Sequence, residues 1–342
     1  MAGEPGARPS WRTGLLLGAK IAFSIALFAF LFRTRLDWTD VRQAIGRARP
    51  EGLALAFTLM LASNVLGAFQ WNRLLRAVGI RIAFVKVVAY YHVGLFFNNF
   101  LPANVGGDFA RVLDASRSGA ATRASALSTV LMDRMIGTVA LGGLAVVTTL
   151  PAIRELKLSP AWLATFYGGA IAFFAIGVVM LWAILHPGVL GGIEAGLGRV
   201  GLGRFKPALD DLSERLASFR GQPRLFRELF TVATVVQVMR IGVHVLVGRA
   251  LGLHVPLPYF FLFVPLLAVI VSLPISLNGI GVREGAGVVL FGLVGVSQSM
   301  AFTLQFTTYL VALAVSLFGG GVFLVRLLIR RGEVSLERRP DE

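Results

Sequence analysis

Two short motifs in this chain bring helix-breaking residues and ionisable side chains together inside strongly apolar sequence. The first, LPANVGGD at 101–108, is followed one turn later by Arg111. The second, LPISLNGIG at 273–281, is followed by Arg283 and Glu284. Proline and glycine interrupt helices, and ionisable groups at membrane depth are costly unless they are paired or border water. The motifs therefore predict a polar binding site between two broken helical segments.

The side chains around the two breaks are suited to binding a phosphorylated, polar group. Asp108 follows two glycines at a predicted helix start, where it either contacts a ligand or caps the helix. Arg283 can donate two parallel hydrogen bonds to a phosphate, or it can form a structural ion pair with Glu284. The candidate substrate-binding residues are Asn98, Asn99, Asp108, Arg111, Asp133, Arg134, Arg240, Ser276, Asn278, Arg283 and Glu284, and the candidate helix-break residues are Pro102, Gly106, Gly107, Pro274, Gly279 and Gly281.

Several of these residues also have a purely structural interpretation. The amide side chains can equally satisfy backbone groups that a broken helix leaves unpaired. Asp133-Arg134 and Arg240 lie inside predicted spans, where ion pairs between helices are the favoured interpretation. Gln70, Trp71 and Arg73 stand near the end of another span, where such residues are typical of membrane-interface anchors.

Composition indicates a polytopic helical membrane protein. The 342 residues are 56% hydrophobic with mean hydropathy +0.75, whereas a soluble domain is about 45–50% apolar. The apolar runs predict an all-α fold with six full spans plus two broken, re-entrant hairpins, or eight spans if the hairpins cross the bilayer. The predicted spans are 13–32, 52–77, 124–150, 161–186, 228–251 and 300–329, and the predicted hairpins pair 84–101 with 108–118 and 256–275 with 282–297.

The distribution of charge predicts an inverted repeat within a single integral membrane domain, 1–342. The basic segment 187–227 and the short tail 331–342 should be cytoplasmic, as should both termini. The halves 52–150 and 228–329 then run in opposite directions, with their hairpins opening on opposite sides. The basic loop 33–49 does not fit the external position that this arrangement gives it.

Two segments have an apolar stripe at helical spacing, 38–48 and 205–219. They predict amphipathic helices that lie on the membrane surface. The alternative is a soluble helical hairpin packed on the loops.

The sequence lacks the patterns of the common enzyme and cofactor sites. It has no cysteine, its four histidines are scattered, and it contains no Walker A loop, Gly-x-Ser-x-Gly or His-Glu-x-x-His motif. We therefore expect no cofactor and no metal, and we favour a non-enzymatic role. The net charge of +15 is attributed to topology and to attraction for anionic lipids rather than to nucleic acid.

The motifs together resemble those of the flippase-type transmembrane domain of lysylphosphatidylglycerol synthases. The resemblance rests on three stretches, FNNFLP at 97–102 leading to Gly106-Gly107-Asp108 and Arg111, Asp133-Arg134-x-x-Gly137, and Leu273-Pro274-x-Ser276 leading to GIGVREG at 279–285. It covers roughly 15–330. It implies movement of an aminoacylated or otherwise polar-headed lipid between leaflets, with Asp108, Arg283 and Glu284 involved. Because only about a dozen polar residues follow the last predicted span, we expect no soluble lysyl-transfer domain, and lipid synthesis is not implied.

The leading hypothesis is therefore a translocase that moves a phospholipid or glycolipid between the leaflets of a bacterial inner (plasma) membrane. The expected partners are membrane lipids with anionic or aminoacylated headgroups, and an oligomer is left open. One alternative is an integral membrane transferase acting on a lipid-linked substrate, with Asp108 as its carboxylate. The other is a non-catalytic membrane subunit of a lipid-modifying complex.

Overall fold

A computed structural model describes residues 37–100, 106–118, 122–155, 159–186, 188–189, 192, 206–272 and 279–337. Within these ranges the chain forms eleven long or medium helices and no strand, which confirms the all-α fold. The helices are α1 (Trp38–Gly46), α2 (Pro50–Ala77), α3 (Phe84–Phe100), α4 (Gly106–Ser116), α5 (Arg123–Glu155), α6 (Pro160–Leu185), α7 (Lys206–Ala217), α8 (Pro223–Ala250), α9 (Leu257–Ser272), α10 (Val282–Gly292) and α11 (Gln298–Glu337).

Five helices are long and apolar enough to cross a membrane, namely α2, α5, α6, α8 and α11. They coincide with five of the six spans predicted from hydropathy. The sixth, 13–32, lies outside the described residues. The protein is thus a multi-pass membrane protein, with shorter apolar helices between its long ones.

Each predicted hairpin consists of two short helices. The helix α3 ends at Phe100 and α4 begins at Gly106, while α9 ends at Ser272 and α10 begins at Val282. Gly279 and Gly281 have φ of +76° and +81°, a conformation that favours glycine over residues with a Cβ. Both glycines lie just before the start of α10. Pro102, Pro274, Ser276 and Asn278 lie outside the described part of the chain.

The helices α2 and α8 pack against one another in antiparallel fashion along their whole length. At one end the Arg49 backbone N–H donates to the Ala250 carbonyl at 2.9 Å. At the other, Arg73 forms two 2.7 Å hydrogen bonds with the Glu228 carboxylate. Since each of these helices opens one half of the chain, the halves run in opposite directions.

The remaining helices of the two halves also correspond to one another. In each half a long helix is followed by two short ones and a second long one, giving α2–α5 and α8–α11. The second helix of each half packs on the fourth helix of the other, so that α3 contacts α11 and α9 contacts α5. The two halves thus run in opposite directions, and each packs on the other through corresponding helices. This is the arrangement of an inverted repeat.

The two amphipathic helices pack on the ends of the bundle. In α1, Val41 is buried and the Trp38 ring meets Phe302 edge-on, at a centroid distance of 6.4 Å. Leu216 in α7 and Phe219 just beyond it are buried within a core shared with α5 and α8. Their position relative to a membrane surface stays a prediction.

Candidate functional site

A cavity of about 450 Å³ lies at the centre of the described bundle, between the two halves. Its walls come from α2, α3, α4 and α5 on one side and from α8, α9 and α10 on the other. At 1.5 Å per residue, Asp133 lies about 15 Å from the start of α5, and Arg240 about 25 Å from the start of α8. Both helices start at the end of the bundle where α2 ends, so the cavity occupies the middle of the spans.

Arg111 and Asp133 form the most deeply buried ion pair on the first wall. Arg111 Nη2 donates to Asp133 Oδ2 at 2.8 Å, and these side chains are 7% and 10% exposed. The other carboxylate oxygen accepts from Gln70 Nε2 at 2.9 Å. The Arg111 guanidinium also lies over the rings of Trp71 and Tyr91, with centroid distances of 4.3 and 4.8 Å. Three neighbours and the bond within the pair therefore compensate the charges that this wall buries.

Asp108 and Arg134 extend this network across α4 and α5. Arg134 donates to both Asp108 oxygens, at 2.9 and 3.0 Å, which is the bidentate geometry of a strong ion pair. The predicted pairing of Asp108 with Arg111 is present only as a long contact of 3.9 Å. The Arg134 side chain is 44% exposed although helices surround it, because its guanidinium borders the cavity.

Close contact between α3 and α4 fixes the position of this network. The Gly107 backbone N–H donates to Asn98 Oδ1 at 2.9 Å. A Cβ at Gly107 would collide with the Gly94 carbonyl oxygen, and a Cβ at Gly94 would lie 2.8 Å from Arg111 Cγ. Glycine at both positions is what lets the short helices approach closely enough to hold Arg111 against α5.

The second wall carries arginines with a different environment. Arg240 and His244 lie one turn apart on α8, and both line the cavity together with Arg283 of α10. The Arg283 guanidinium lies 4.7 Å from the centroid of the Tyr309 ring. Glu284, 2% exposed, directs Oε2 to the Gly281 backbone N–H at 2.7 Å. Glu284 therefore caps α10 and does not line the cavity.

Most predicted site residues that the structure describes do meet here. Asn98, Arg111, Asp133, Arg134, Arg240 and Arg283 line the cavity, and Asp108 lies directly behind Arg134. Asn99 instead donates Nδ2 to the Leu95 carbonyl within its own helix, at 3.1 Å. Gly106 begins α4.

Sequence reasoning missed two cavity residues and misplaced two other side chains. Gln70 and Trp71 were predicted to be membrane-interface anchors, which is wrong, because they are 5% and 0% exposed and contact the Arg111–Asp133 network. The helix α2 continues to Ala77, so these residues lie more than a turn inside it. Tyr91 and His244 were not predicted to belong to the site, although an aromatic or imidazole ring within an apolar run was an available signal.

The fold and the cavity define a class: multi-pass helical membrane proteins with a charged cavity between inverted halves. The sequence profile of the lysylphosphatidylglycerol synthase TM region matches residues 17–332. The chain belongs to that family.

Three membrane proteins are similar to this chain over half of its length or more. It is 23% identical over 326 residues to a UPF0104 membrane protein of Pyrococcus horikoshii, an alignment that spans 85% of this chain and 92% of the relative. It is 24% identical over 280 residues to a UPF0104 membrane protein of Methanothermobacter thermautotrophicus, covering 77% of this chain and 81% of that protein. A UPF0104 membrane protein of Methanocaldococcus jannaschii is 25% identical over 187 residues, about half of each chain.

Proposed function

We propose that this protein is a lipid translocase that moves a polar-headed phospholipid or glycolipid between membrane leaflets. The observation that carries the proposal is the central cavity, which joins a wall of arginines to a wall of aliphatic side chains. An amphiphile needs both surfaces, since its headgroup requires hydrogen-bond donors and its chains require apolar contact.

The aliphatic part of the cavity offers an apolar surface for the start of an acyl chain. It is contributed by three helices that belong to both halves. Its residues are Leu141 and Leu144 of α5, Val236 and Ile241 of α8, and Val264, Leu267, Ala268 and Val271 of α9. The arginines line the same cavity, so a single lipid can reach both surfaces.

The inverted relation of the halves supports movement across the membrane. Two packings of such halves around a fixed central site expose the site alternately to each side. The sequence carries no nucleotide-binding motif, so we propose facilitated movement, or movement coupled to protons or to the membrane potential. The charge asymmetry of the loops favours a bacterial inner membrane with both termini in the cytoplasm.

The transferase alternative receives no support from the geometry. It requires a carboxylate placed for catalysis, with Asp108 as the candidate. Both Asp108 oxygens accept hydrogen bonds from Arg134, and both Asp133 oxygens are likewise occupied by Arg111 and Gln70. These are the contacts of a structural network.

Leaflet exchange in reconstituted vesicles tests the proposal. Fluorescent lipids in the inner leaflet are protected from dithionite until a translocase carries them out. We expect the protein to expose the inner-leaflet pool within minutes, whereas protein-free vesicles and vesicles with an unrelated helical membrane protein retain it. Exchange no faster than in these controls, with every headgroup tried, would refute the function.

A matched pair of glycine variants tests whether the cavity is the route. Gly137 lines the cavity, and a Cβ there meets nothing within 4 Å, so Gly137→Leu should fill the space without distorting the helix. Gly168 in α6 has the same freedom but is exposed on the outer face of the bundle. We expect Gly137→Leu to slow exchange at least tenfold and Gly168→Leu to leave it unchanged. Equal rates in both variants would place the route elsewhere.

A further inference from the structure

The two walls of the cavity differ in net charge. On the first wall two arginines, Arg111 and Arg134, face two carboxylates, Asp108 and Asp133, and all four are joined by hydrogen bonds or ion pairs. Their charges sum to zero. This wall is therefore a closed network, and a ligand that bound to either arginine would have to compete with a carboxylate already in place.

The second wall is cationic. Arg240 and Arg283 line it, and no carboxylate lines the cavity on the α8, α9 and α10 side as far as the chain is described. Arg240 forms no ion pair with any described residue. The nearest acid in sequence, Glu284, is buried and bonded to the Gly281 backbone N–H. Counting Glu284 as a full charge, this wall still carries a net charge of +1.

Two neighbours hold the Arg283 guanidinium in a position from which it can bind a phosphate. Its central carbon lies over the Tyr309 ring, and its Nη2 lies 3.3 Å from the position that a Cβ would take on Gly279. Glycine at 279 and an aromatic ring at 309 thus confine the group from two sides. A planar guanidinium held in this way presents paired donors, which match the oxygens of a phosphate.

A positively charged wall discriminates between headgroups by the sign of their charge. A phosphodiester headgroup is anionic, whereas a headgroup esterified with lysine carries two ammonium groups and one phosphate and is net cationic. In a central, partly desolvated site the repulsion of a net cation by arginine is several-fold larger than in water. We infer that the cavity selects lipids with a net anionic, phosphate-bearing headgroup, bound by Arg240 and Arg283, and that it rejects aminoacylated, net cationic ones. This inference rests on the proposed function and names its substrate class.

Binding measured in detergent tests the selectivity without any transport step. The probes are dioctanoyl forms of phosphatidylglycerol, phosphatidic acid, phosphatidylcholine and lysyl-phosphatidylglycerol, together with soluble glycerol 1-phosphate, titrated calorimetrically into protein in a neutral detergent. We expect the two anionic lipids to bind at least tenfold more tightly than the zwitterionic and cationic ones. Glycerol 1-phosphate should bind at least tenfold more weakly than phosphatidic acid, since it lacks the acyl chains.

The variants Arg240→Gln and Arg283→Lys test whether the second wall causes the preference for anionic headgroups. Removing one partner of a buried charged hydrogen bond lowers affinity about thirtyfold or more, so Arg240→Gln should lose most of the preference for anionic lipid. Arg283→Lys keeps the charge but loses the paired donors, and we expect it to weaken phosphatidic acid binding severalfold. Arg227→Gln, an exposed arginine of the same helix, should bind as the unsubstituted protein does, and size-exclusion profiles check folding of all three.

The outcomes separate this inference from the proposed function. Selective binding of anionic lipid without leaflet exchange upholds the headgroup class and overturns translocation. Exchange or binding of lysyl-phosphatidylglycerol equal to that of phosphatidylglycerol overturns the headgroup class and leaves translocation standing. Glycerol 1-phosphate binding as tightly as phosphatidic acid shows a soluble phosphate ester as the ligand and overturns the lipid assignment. Because the unsubstituted protein alone decides these outcomes, misfolding of a variant does not affect them.

Discussion

Removing either partner of the Arg111–Asp133 pair should destabilise the protein far more than removing both. The pair lies at a depth of about 15 Å in the bundle, with side chains 7% and 10% exposed and a separation of 2.8 Å. Asp133→Asn keeps the shape and an oxygen for Gln70 but leaves the buried Arg111 charge with only the more distant Asp108 carboxylate, 3.9 Å away. Arg111→Met keeps the apolar part of the side chain and leaves the Asp133 carboxylate buried without its ion-pair partner.

The magnitude follows from the cost of an uncompensated buried charge. Breaking a buried ion pair from one side typically costs about 3–5 kcal/mol, whereas replacing both partners by uncharged residues is much closer to neutral. The rings of Trp71 and Tyr91 still face the guanidinium after Asp133→Asn, and each such contact is worth about 0.5–2 kcal/mol. We therefore expect about 3 kcal/mol for Asp133→Asn, about 5 kcal/mol for Arg111→Met and only about 1–2 kcal/mol for the double variant, which corresponds to a coupling energy of about 6–7 kcal/mol between the two side chains.

A double-mutant cycle measured by unfolding in mixed micelles gives this coupling directly. Sodium dodecyl sulfate is titrated into protein in a mild detergent, and tryptophan fluorescence reports the loss of native packing. Arg215 and Asp211 on α7 supply the control, since they form an ion pair at 3.2 Å but are 37% and 38% exposed. Exposed pairs of this kind contribute about 0.3–0.5 kcal/mol. If the coupling between Arg111 and Asp133 is as small as that of the control pair, the network does not hold the first wall together and the reasoning fails.

Three other predictions test the parts of the site separately. Asp108→Asn removes the carboxylate that pairs with the cavity-lining Arg134 and should therefore slow leaflet exchange while the protein stays monodisperse; exchange at the unsubstituted rate would show that the Asp108–Arg134 pair is structural only. Gly107→Ala should destabilise the protein by about 1–3 kcal/mol through overpacking against α3, measured by the same unfolding titration, whereas Gly168→Ala should be neutral or slightly stabilising. Single cysteines at Val105 and Asn278, introduced into this cysteine-free chain, should react with membrane-impermeant reagents from opposite sides, and reaction from one side only would contradict the inverted topology.

The positions of the long helices could be predicted because length and hydropathy decide them. Pro50 and Pro160 each occupy a first helical position, so proline marks the boundary as well as the apolar run does. The start of α8 was predicted at 228 and lies at Pro223. Its first turn is rich in charge, and hydropathy assigns such residues to a loop although they continue the helix beyond the apolar region.

The partners within the site could not be predicted from spacing. A separation of three residues placed Arg111 beside Asp108, yet Arg111 approaches Asp133 more closely, at 2.8 Å against 3.9 Å. The two carboxylates lie on different helices, and only the packing of α4 against α5 decides between them. That packing depends on Gly94 and Gly107, whose contact joins residues thirteen apart across a break and leaves no periodic signal in the sequence.

The inverted repeat explains why the charge of the cavity is concentrated on one wall. Asp108 and Glu284 are both the third residue of their short helix, in α4 and α10. The sixth residue is Arg111 in α4 but Gly287 in α10, which packs against Gln305. The eleventh residue of the following long helix is Asp133 in α5 and Thr308 in α11.

The first half therefore contains the closed ion-pair network. The second half lacks the equivalents of Arg111 and Asp133, the two central members of that network. Glu284 accordingly bonds to its own helix start, while Arg283 lines the cavity. Restoring the missing pair with Gly287→Arg and Thr308→Asp would bring a second carboxylate toward the cationic wall. Gly287→Arg would also have to displace Gln305, whose Cδ lies 3.0 Å from the added Cβ position. If the charge of this wall selects the headgroup, Thr308→Asp alone should weaken phosphatidic acid binding in the detergent assay, and the neutral Thr308→Asn should not.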